Sequence, residues 1–298
     1  MANLPKAFSN RFRLQSAMEY LMTYGWAILV IAIVLVALFE IGVFNPYYFS
    51  PKATPGACQI SRSAQGVNLE GQCNGVLPKY AIQLSGTNYV NAGNGPSLNV
   101  TNNITVSAWI NMASSSLCFQ RIVSKQFNSV VTAASDFQLG LTCTTNDWRW
   151  SVGGVFDITA SSHPTAGTWY NFVGTYNGSY ANMYVNGQLI SSTPEAGGAI
   201  RTSVQPLTIG TSYYNNGAAY YYAGQISNVQ VYNTSLSATQ VKALYQEGIG
   251  GAPISPRYIV GWWPLNGDVN DYSANGNNGQ TVGAATFVDS WWNGYAQP

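Results

Sequence analysis

Two hydrophobic patterns divide the chain. From Tyr20 to Phe39 no side chain is charged, a length that meets the about 20 residues a helix needs to cross a bilayer. Lys6, Arg11 and Arg13 precede this run, and Glu40, Pro46 and Pro51 end it. A basic flank before an apolar helix predicts a cytoplasmic leader with the remainder facing outward. From about Tyr80 the pattern becomes short alternating segments bounded by turn residues, the signature of strands. "YAIQLSGTNYVNAG" alternates and turns at Gly86. "NITVSAWINM" alternates with Trp109 expected inward. "FQLGLTC" and "WRWSVGG" make a hairpin. "WYNFVGTYNGSYANMYVNGQLISS" is a pair of strands around Asn177-Gly178-Ser179, followed by an Asn-Gly hairpin turn. "SLSATQVKALYQEG" breaks the alternation: Ser237 can cap a helix, Val241, Leu244 and Tyr245 share one face, and Gly248 stops it. Evenly spaced short strands of this kind predict an all-β sandwich.

Composition narrows the surface chemistry. Charged residues are only 8% of the 298, against roughly 25% in ordinary soluble domains. Net charge is +1 with no basic block, which excludes nucleic acid as an expected partner, since phosphate binding needs clustered Lys and Arg. Aromatics reach 13%, with 20 Tyr and 9 Trp, a balance that suits sheet over surface helix. The four cysteines, Cys58, Cys73, Cys118 and Cys143, form no C-x-x-C pair and have one histidine, His163, for company, which argues against zinc. Four cysteines permit three pairings. Export and short loops favour Cys58–Cys73 and Cys118–Cys143, with free buried thiols as the alternative.

Candidate chemistry is sparse. Beyond the N-terminal helix the glutamates are Glu70, Glu195 and Glu247, and no strand carries the paired carboxylates of a glycoside hydrolase. A surface enzyme would have to rely on a carboxylate such as Asp157 or Glu195. The loop with Asp268, Asn270, Asp271, Ser273, Asn275 and Asn277 alternates hard oxygen ligands, which makes it a candidate for structural calcium, with Asp268 and Asp271 as the leading ligands. The competing reading is Asn/Gly turn chemistry. "TSYYNNGAAYYYAG" offers aromatic rings either to sugars or to strand packing. Sequons at Asn99, Asn103, Asn177 and Asn233 are candidate glycan acceptors.

"QSAMEYLMTYGWAIL" resembles the class III signal of archaeal type IV pilins. That family implies a prepilin-peptidase cut between Leu14 and Gln15, with Glu19 as the fifth mature residue. Many relatives carry Gly before the cut where this chain has Leu14. The resemblance implies a membrane-anchored precursor that assembles as a homo-oligomeric filament through its N-terminal helix. Glu19, a carboxylate in apolar surroundings, would be neutralised there by the new amino group of Gln15 from a neighbour. "AIQLSGTNYVNAG", "ITVSAWIN", "MYVNGQLI", "LTIG" and "GQISNVQVYNTSLSATQVKALYQEG" resemble, in order, the laminin-G-like, concanavalin A-type jelly roll. That family hosts carbohydrate binders, protein binders and hydrolases. In it, the stretch "GWWPLNGDVNDYSANGNNGQTVG" belongs ahead of "AIQLSG", so the sandwich is expected to be circularly permuted; the alternatives are a truncated second module and a strand that completes a neighbouring subunit in a filament. Trp262 and Trp263 would then be core and edge residues on opposite faces.

The expected organisation is a cleaved leader over 1–14, a hydrophobic helix over 15–45, a connecting segment over 46–79, and a head over 80–298 in which 261–298 supplies the displaced first strand. The expected fold class is mainly β: a long N-terminal helix followed by a laminin-G-like jelly roll. The leading expectation for function is a pilus-like filament subunit at the cell surface whose lectin-like head binds glycans or surface proteins. The alternatives are a membrane-tethered monomeric receptor and a surface enzyme.

Overall fold

The computed structural model describes residues 24–36, the backbone of 61–62 and 69–70, and residues 77–113, 117–125, 136–153, 155–194, 197–214 and 217–298. Leu14, Gln15, Glu19, Cys58, Cys73 and Glu195 lie outside the described residues. The chain divides into two compact units, Met1–Pro51 and Lys52–Pro298. In the first, helix α1 occupies residues 24–36, inside the expected helix over 15–45, and its apolar side chains are exposed, Trp26 and Ile28 among them. Among the described residues no helix is long and apolar enough to cross a membrane.

The second unit opens with a two-residue ribbon of β1 (Ser61–Arg62) and β2 (Leu69–Glu70). The sandwich strands follow in chain order: β3 (Ala81–Ser85), β4 (Tyr89–Asn91), β5 (Ile104–Met112), β6 (Arg121–Lys125), β7 (Phe137–Leu141), β8 (Trp148–Val152) and β9 (Phe156–Thr159). Next come β10 (Trp169–Tyr176), β11 (Tyr180–Val185), β12 (Gln188–Pro194), β13 (Leu207–Ile209), the hairpin β14 (Ser212–Tyr214) and β15 (Gly217–Ala219), and β16 (Ala223–Tyr232). Helix α2 (Ala238–Gln246) separates these from β17 (Ile259–Trp263), β18 (Gln280–Val282) and β19 (Thr286–Val288). One sheet runs β12-β11-β10-β5-β16-β3-β19, with β17 also on β16. The other runs β18-β4-β13-β6-β7-β8-β9, and every pairing is antiparallel.

Alternation sets the two layers. Ile104, Val106, Ala108 and Ile110 of β5 meet Leu139, Leu141, Trp148 and Trp150 from the opposite sheet in one core. Gly174 sits mid-strand in β10 because the Trp150 ring lies over it: a Cβ there would come within 2.4 Å of that ring. The β11–β12 turn is Asn186-Gly187 at φ 50° and 73°, the left-handed pair that a two-residue hairpin demands. Helix α2 begins in a capping box, with the Gln240 backbone N–H donating to Ser237 Oγ and the Ser237 N–H to Gln240 Oε1. It buries Val241 and Leu244 against the outer face of the first sheet, where Val173, Tyr184 and Trp262 form a second apolar layer.

Two sequence expectations change here. Trp109 faces away from the opposite sheet, packed with Trp169, Ile249 and Trp291, because the tail covers the outer face and makes both faces of β5 buried. Trp262 and Trp263 do point to opposite faces, but neither is an edge residue. Trp263 enters the core between the sheets, and Trp262 is sealed into the layer with the buried residues of α2.

The C-terminal segment completes this chain's own sandwich. Along one side of β16, β3 pairs with residues 223–226 and β17 with 229–232, so the two strands lie end to end. The changeover falls at Asn228, φ 49°, whose Oδ1 accepts Trp262 Nε1–H at 2.8 Å and whose amide donates to the Gly251 carbonyl at 2.9 Å. Strand β18 then extends the second sheet and β19 the first.

Candidate functional site

The outer face of the first sheet carries a row set by register. Thr286, Gln83, Gln225, Asn111 and Trp169 stand opposite one another across β19, β3, β16, β5 and β10. Trp169 ends the row under the C-terminal segment. Its indole N–H donates to the Trp291 carbonyl at 2.6 Å, and the buried Trp291 donates in turn to the Pro78 carbonyl at 2.9 Å. Tyr295 and Tyr245 close over Trp109. Burial pushes the Tyr295 phenol up to about 12.

Beyond that aromatic seal the face opens into a cleft of about 290 Å³. Its floor is Gln83, Gln225 and Asn111, and Ser290 and Asn293 of the C-terminal segment form a wall. Gln83 Nε2 donates to the carbonyls of Leu84 and Gly224, and Asn111 Nδ2 to the carbonyl of Asn293 at 3.3 Å. Each amide therefore leaves its oxygen as an acceptor, while the Gln225 amide keeps both functions. Gly224, φ 145°, lets the strands close: a Cβ there would stand 2.2 Å from the Asn111 carbonyl oxygen. Between the two wall residues in sequence comes Trp292, 57% exposed. Neutral donors and acceptors can hold a polyhydroxylated ring by hydrogen bonds, and the wall-forming segment also carries an exposed indole of the kind that stacks on sugars.

The predicted site residues fall elsewhere. Asp271 is fully buried, and its two oxygens are occupied by N–H groups: Oδ1 by the backbones of Trp262 and Ser273, Oδ2 by the backbone and side chain of Asn277. Asp268 accepts from the Asn270 N–H and the Tyr272 hydroxyl. Asn275 donates to Ile259 and Ser273, and Asn270 is exposed. These contacts are those of a turn organised around one carboxylate. Among the described residues no three His, Cys, Asp or Glu side chains gather as a metal group.

Cys118 and Cys143 are joined in a disulfide. Asn103, Asn177 and Asn233 are exposed, whereas Asn99 is half-buried with its Oδ1 enclosed and without a partner. Asn177 Oδ1 accepts from the N–H groups of Ser179 and Tyr180, so this sequon is also the β10–β11 turn. Of the tyrosine-rich stretch, Tyr222 is core, while Tyr213, Tyr220 and Tyr221 are half-buried. Asp157 is the ion-pair partner of Arg149.

The amide cleft escaped sequence reasoning because its groups come from four distant segments that only register brings together. The one local signal was the alternation of Gln83, Asn111 and Gln225 with core residues.

Residues 84–242, just over half the chain, match the family model described as the concanavalin A-like lectin/glucanases superfamily. Among curated proteins none matches. A candidate carbohydrate-binding protein from Bacteroides ovatus is similar in structure at 18% identity and a TM-score of 0.56, covering 72% of this chain and 60% of its own. This chain thus spans less than two thirds of that protein. The CBM40 of Ruminococcus gnavus IT-sialidase aligns at 17% identity and a TM-score of 0.47, over 57% of this chain and 98% of that one. Domain 4 of a GH43 extracellular arabinanase from Geobacillus stearothermophilus aligns at 15% and 0.44, over 55% and 76%. At 18% identity the likeness to the Bacteroides ovatus protein is one of fold.

Proposed function

The chain belongs to the concanavalin A-like lectin/glucanases superfamily, and from that premise we propose that its head is a glycan-binding module presented at the cell surface by the N-terminal helix. The observation that carries this reading is the row Gln83–Gln225–Asn111 on the floor of a cleft of about 290 Å³, with the exposed Trp292 between two residues of its wall. Amides present donors and acceptors at the spacing of neighbouring hydroxyls, and an indole covers the apolar face of a pyranose. The Bacteroides ovatus protein of the same fold is described as a carbohydrate binder, which agrees in class. The presentation follows from the N-terminal pattern: cleavage between Leu14 and Gln15, then assembly of the apolar helices into a filament with Glu19 facing the amino group of Gln15.

Two measurements test the two halves. On an array of neutral oligosaccharides, Gln225→Ala and Trp292→Ala should each lose most of the signal while melting at the wild-type temperature. Binding unaffected by both changes removes the cleft. Mass spectrometry of the mature protein should find Gln15 at its N-terminus. A chain that retains Met1 and the basic leader is a tethered monomeric receptor instead.

A further inference from the structure

We propose that the outer face of the second sheet holds a separate binding site, built on Arg121, for a sugar-ring carboxylate of the uronic acid class. Arg121 opens β6 opposite Gly140, and the other neighbour of Gly140 is Arg149 in β8. The missing side chain leaves Arg121 room to lie across the sheet, since a Cβ on Gly140 would stand 3.2 Å from its Cδ. Two guanidinium groups therefore share one row, but among the described residues only one carboxylate serves them. Asp157 is held bidentately by Arg149, whose Nη1 also donates to Gln138.

Arg121 is 4% exposed, and among the described residues no carboxylate pairs with it. Its Nη1 donates to the Leu141 carbonyl at 3.1 Å, while Nε is enclosed without an acceptor. Burial first, and Arg149 second, push this guanidinium down to about 9, so it is still a cation at neutral pH. A buried cation lacking a counter-ion is costly, and an anion supplied by a ligand relieves that cost.

The walls of the site are aromatic. Phe119 and Tyr220 each lie 5.4 Å from the guanidinium carbon and meet edge to face at 5.5 Å. Both rings hang from left-handed backbone, φ 56° and 60°, which bulky side chains rarely adopt. The Cys118–Cys143 disulfide adjoins Phe119, and Phe119 is 37% exposed. The net free charge is single, because Arg149 is already neutralised. That matches a monoanionic carboxylate, whereas phosphate recognition draws on clustered cations. The rings offer contact to the C–H face of the sugar that bears it. The site shares no residue with the amide cleft and takes from the preceding reading only the sugar ring.

Calorimetry of the full chain in detergent with trigalacturonate, against neutral maltotriose, decides the matter. The expected result is trigalacturonate binding that weakens with salt and falls at least about tenfold in Arg121→Gln. Phe119→Ala, at an exposed position, should also weaken it, and decides the outcome if Arg121→Gln does not fold. Gln225→Ala should leave it unchanged, so failure here and failure of the cleft are told apart. The proposal is overturned if trigalacturonate does not bind, if Arg121→Gln and Phe119→Ala weaken maltotriose as much as trigalacturonate, if a sulfated trisaccharide is preferred, or if Phe119→Ala has no effect on trigalacturonate.

Discussion

Replacing Asp271 by Asn keeps the shape of the side chain and removes its charge. In the folded protein Oδ1 accepts the backbone N–H groups of Trp262 at 3.0 Å and Ser273 at 2.8 Å, while Oδ2 accepts Asn277 N at 2.8 Å and Asn277 Nδ2 at 3.1 Å. An Asn oxygen can serve one of these pairs, but its NH₂ then points at two donors. Hydrogen bonds to a charged group contribute about 1.5–3 kcal/mol each, so losing two at a fully buried site costs about 4 kcal/mol. For a domain of this size each kcal/mol lowers Tm by about 2–4 °C, giving an expected fall of about 8–16 °C. The effect is amplified because this carboxylate and the Tyr272 N–H, which donates to the Trp262 carbonyl at 2.7 Å, occupy the free edge of β17 as a strand would. Thermal unfolding followed by circular dichroism, with and without calcium, is the assay. Calcium should leave the wild-type curve in place, because both oxygens already have donors. A Tm within about 2 °C of wild type refutes the organising role. A calcium-dependent rise in wild type that disappears in Asp271→Asn makes the carboxylate a metal ligand.

Gly174→Ala drives a methyl group into the Trp150 ring and should destabilise the head by about 1–3 kcal/mol in denaturant unfolding; an unchanged midpoint would mean the ring can move aside. The Tyr295 phenol, raised by burial to about 12 from its ordinary value near 10, should be among the tyrosines that resist alkaline titration by absorbance. Because its folded value lies above the unfolded one, its contribution is whole below about pH 10 and is lost as pH rises to about 12; stability that climbs over that interval contradicts the burial. Reducing Cys118–Cys143, which lie 25 residues apart, should cost about 3 kcal/mol, read as a lower Tm with dithiothreitol. Deleting residues 259–298 removes β17, β18 and β19 and should abolish cooperative melting; a truncated chain that still melts sharply as a monomer would show the tail to be dispensable.

What the sequence made legible is local. Period-two alternation located β5, β7, β8, β10 and β11, and the Ser237 and Gly248 signals bounded α2, because turn and cap residues act within a few positions of one another. Sidedness was harder. Trp109 alternates like a core residue and is buried, yet the apolar group covering it is Tyr245 on one side and Tyr295 on the other, far along the chain. Alternation separates the two faces of a strand but does not say which face meets the other sheet once both are covered. Arg121 was invisible for a related reason: a cation beside Phe119 reads as surface, and its enclosure depends on the absence of a side chain at Gly140 and the return of Tyr220.

The same limit explains how "GWWPLNGDVNDYSANGNNG" closes a fold from its far end. A strand is specified by its own alternation and by an open edge of matching length, not by its place in the chain. Strand β3 uses only residues 223–226 of β16, leaving 229–232 unpaired on that side, and β17 fills that half. Asn228 makes the join by stepping out of register, capturing the Trp262 indole and freeing Trp263 to enter the core. The loop behind β17 then protects its outer edge through Asp271. Loop closure grows only slowly with length, so the linker from α2 to β17 costs little beside two buried indoles. The segment that resembles a domain's opening therefore works as its closure: the β16 edge defines the vacancy, and the Trp262–Trp263 pair, one ring for each face, fits it in a single register.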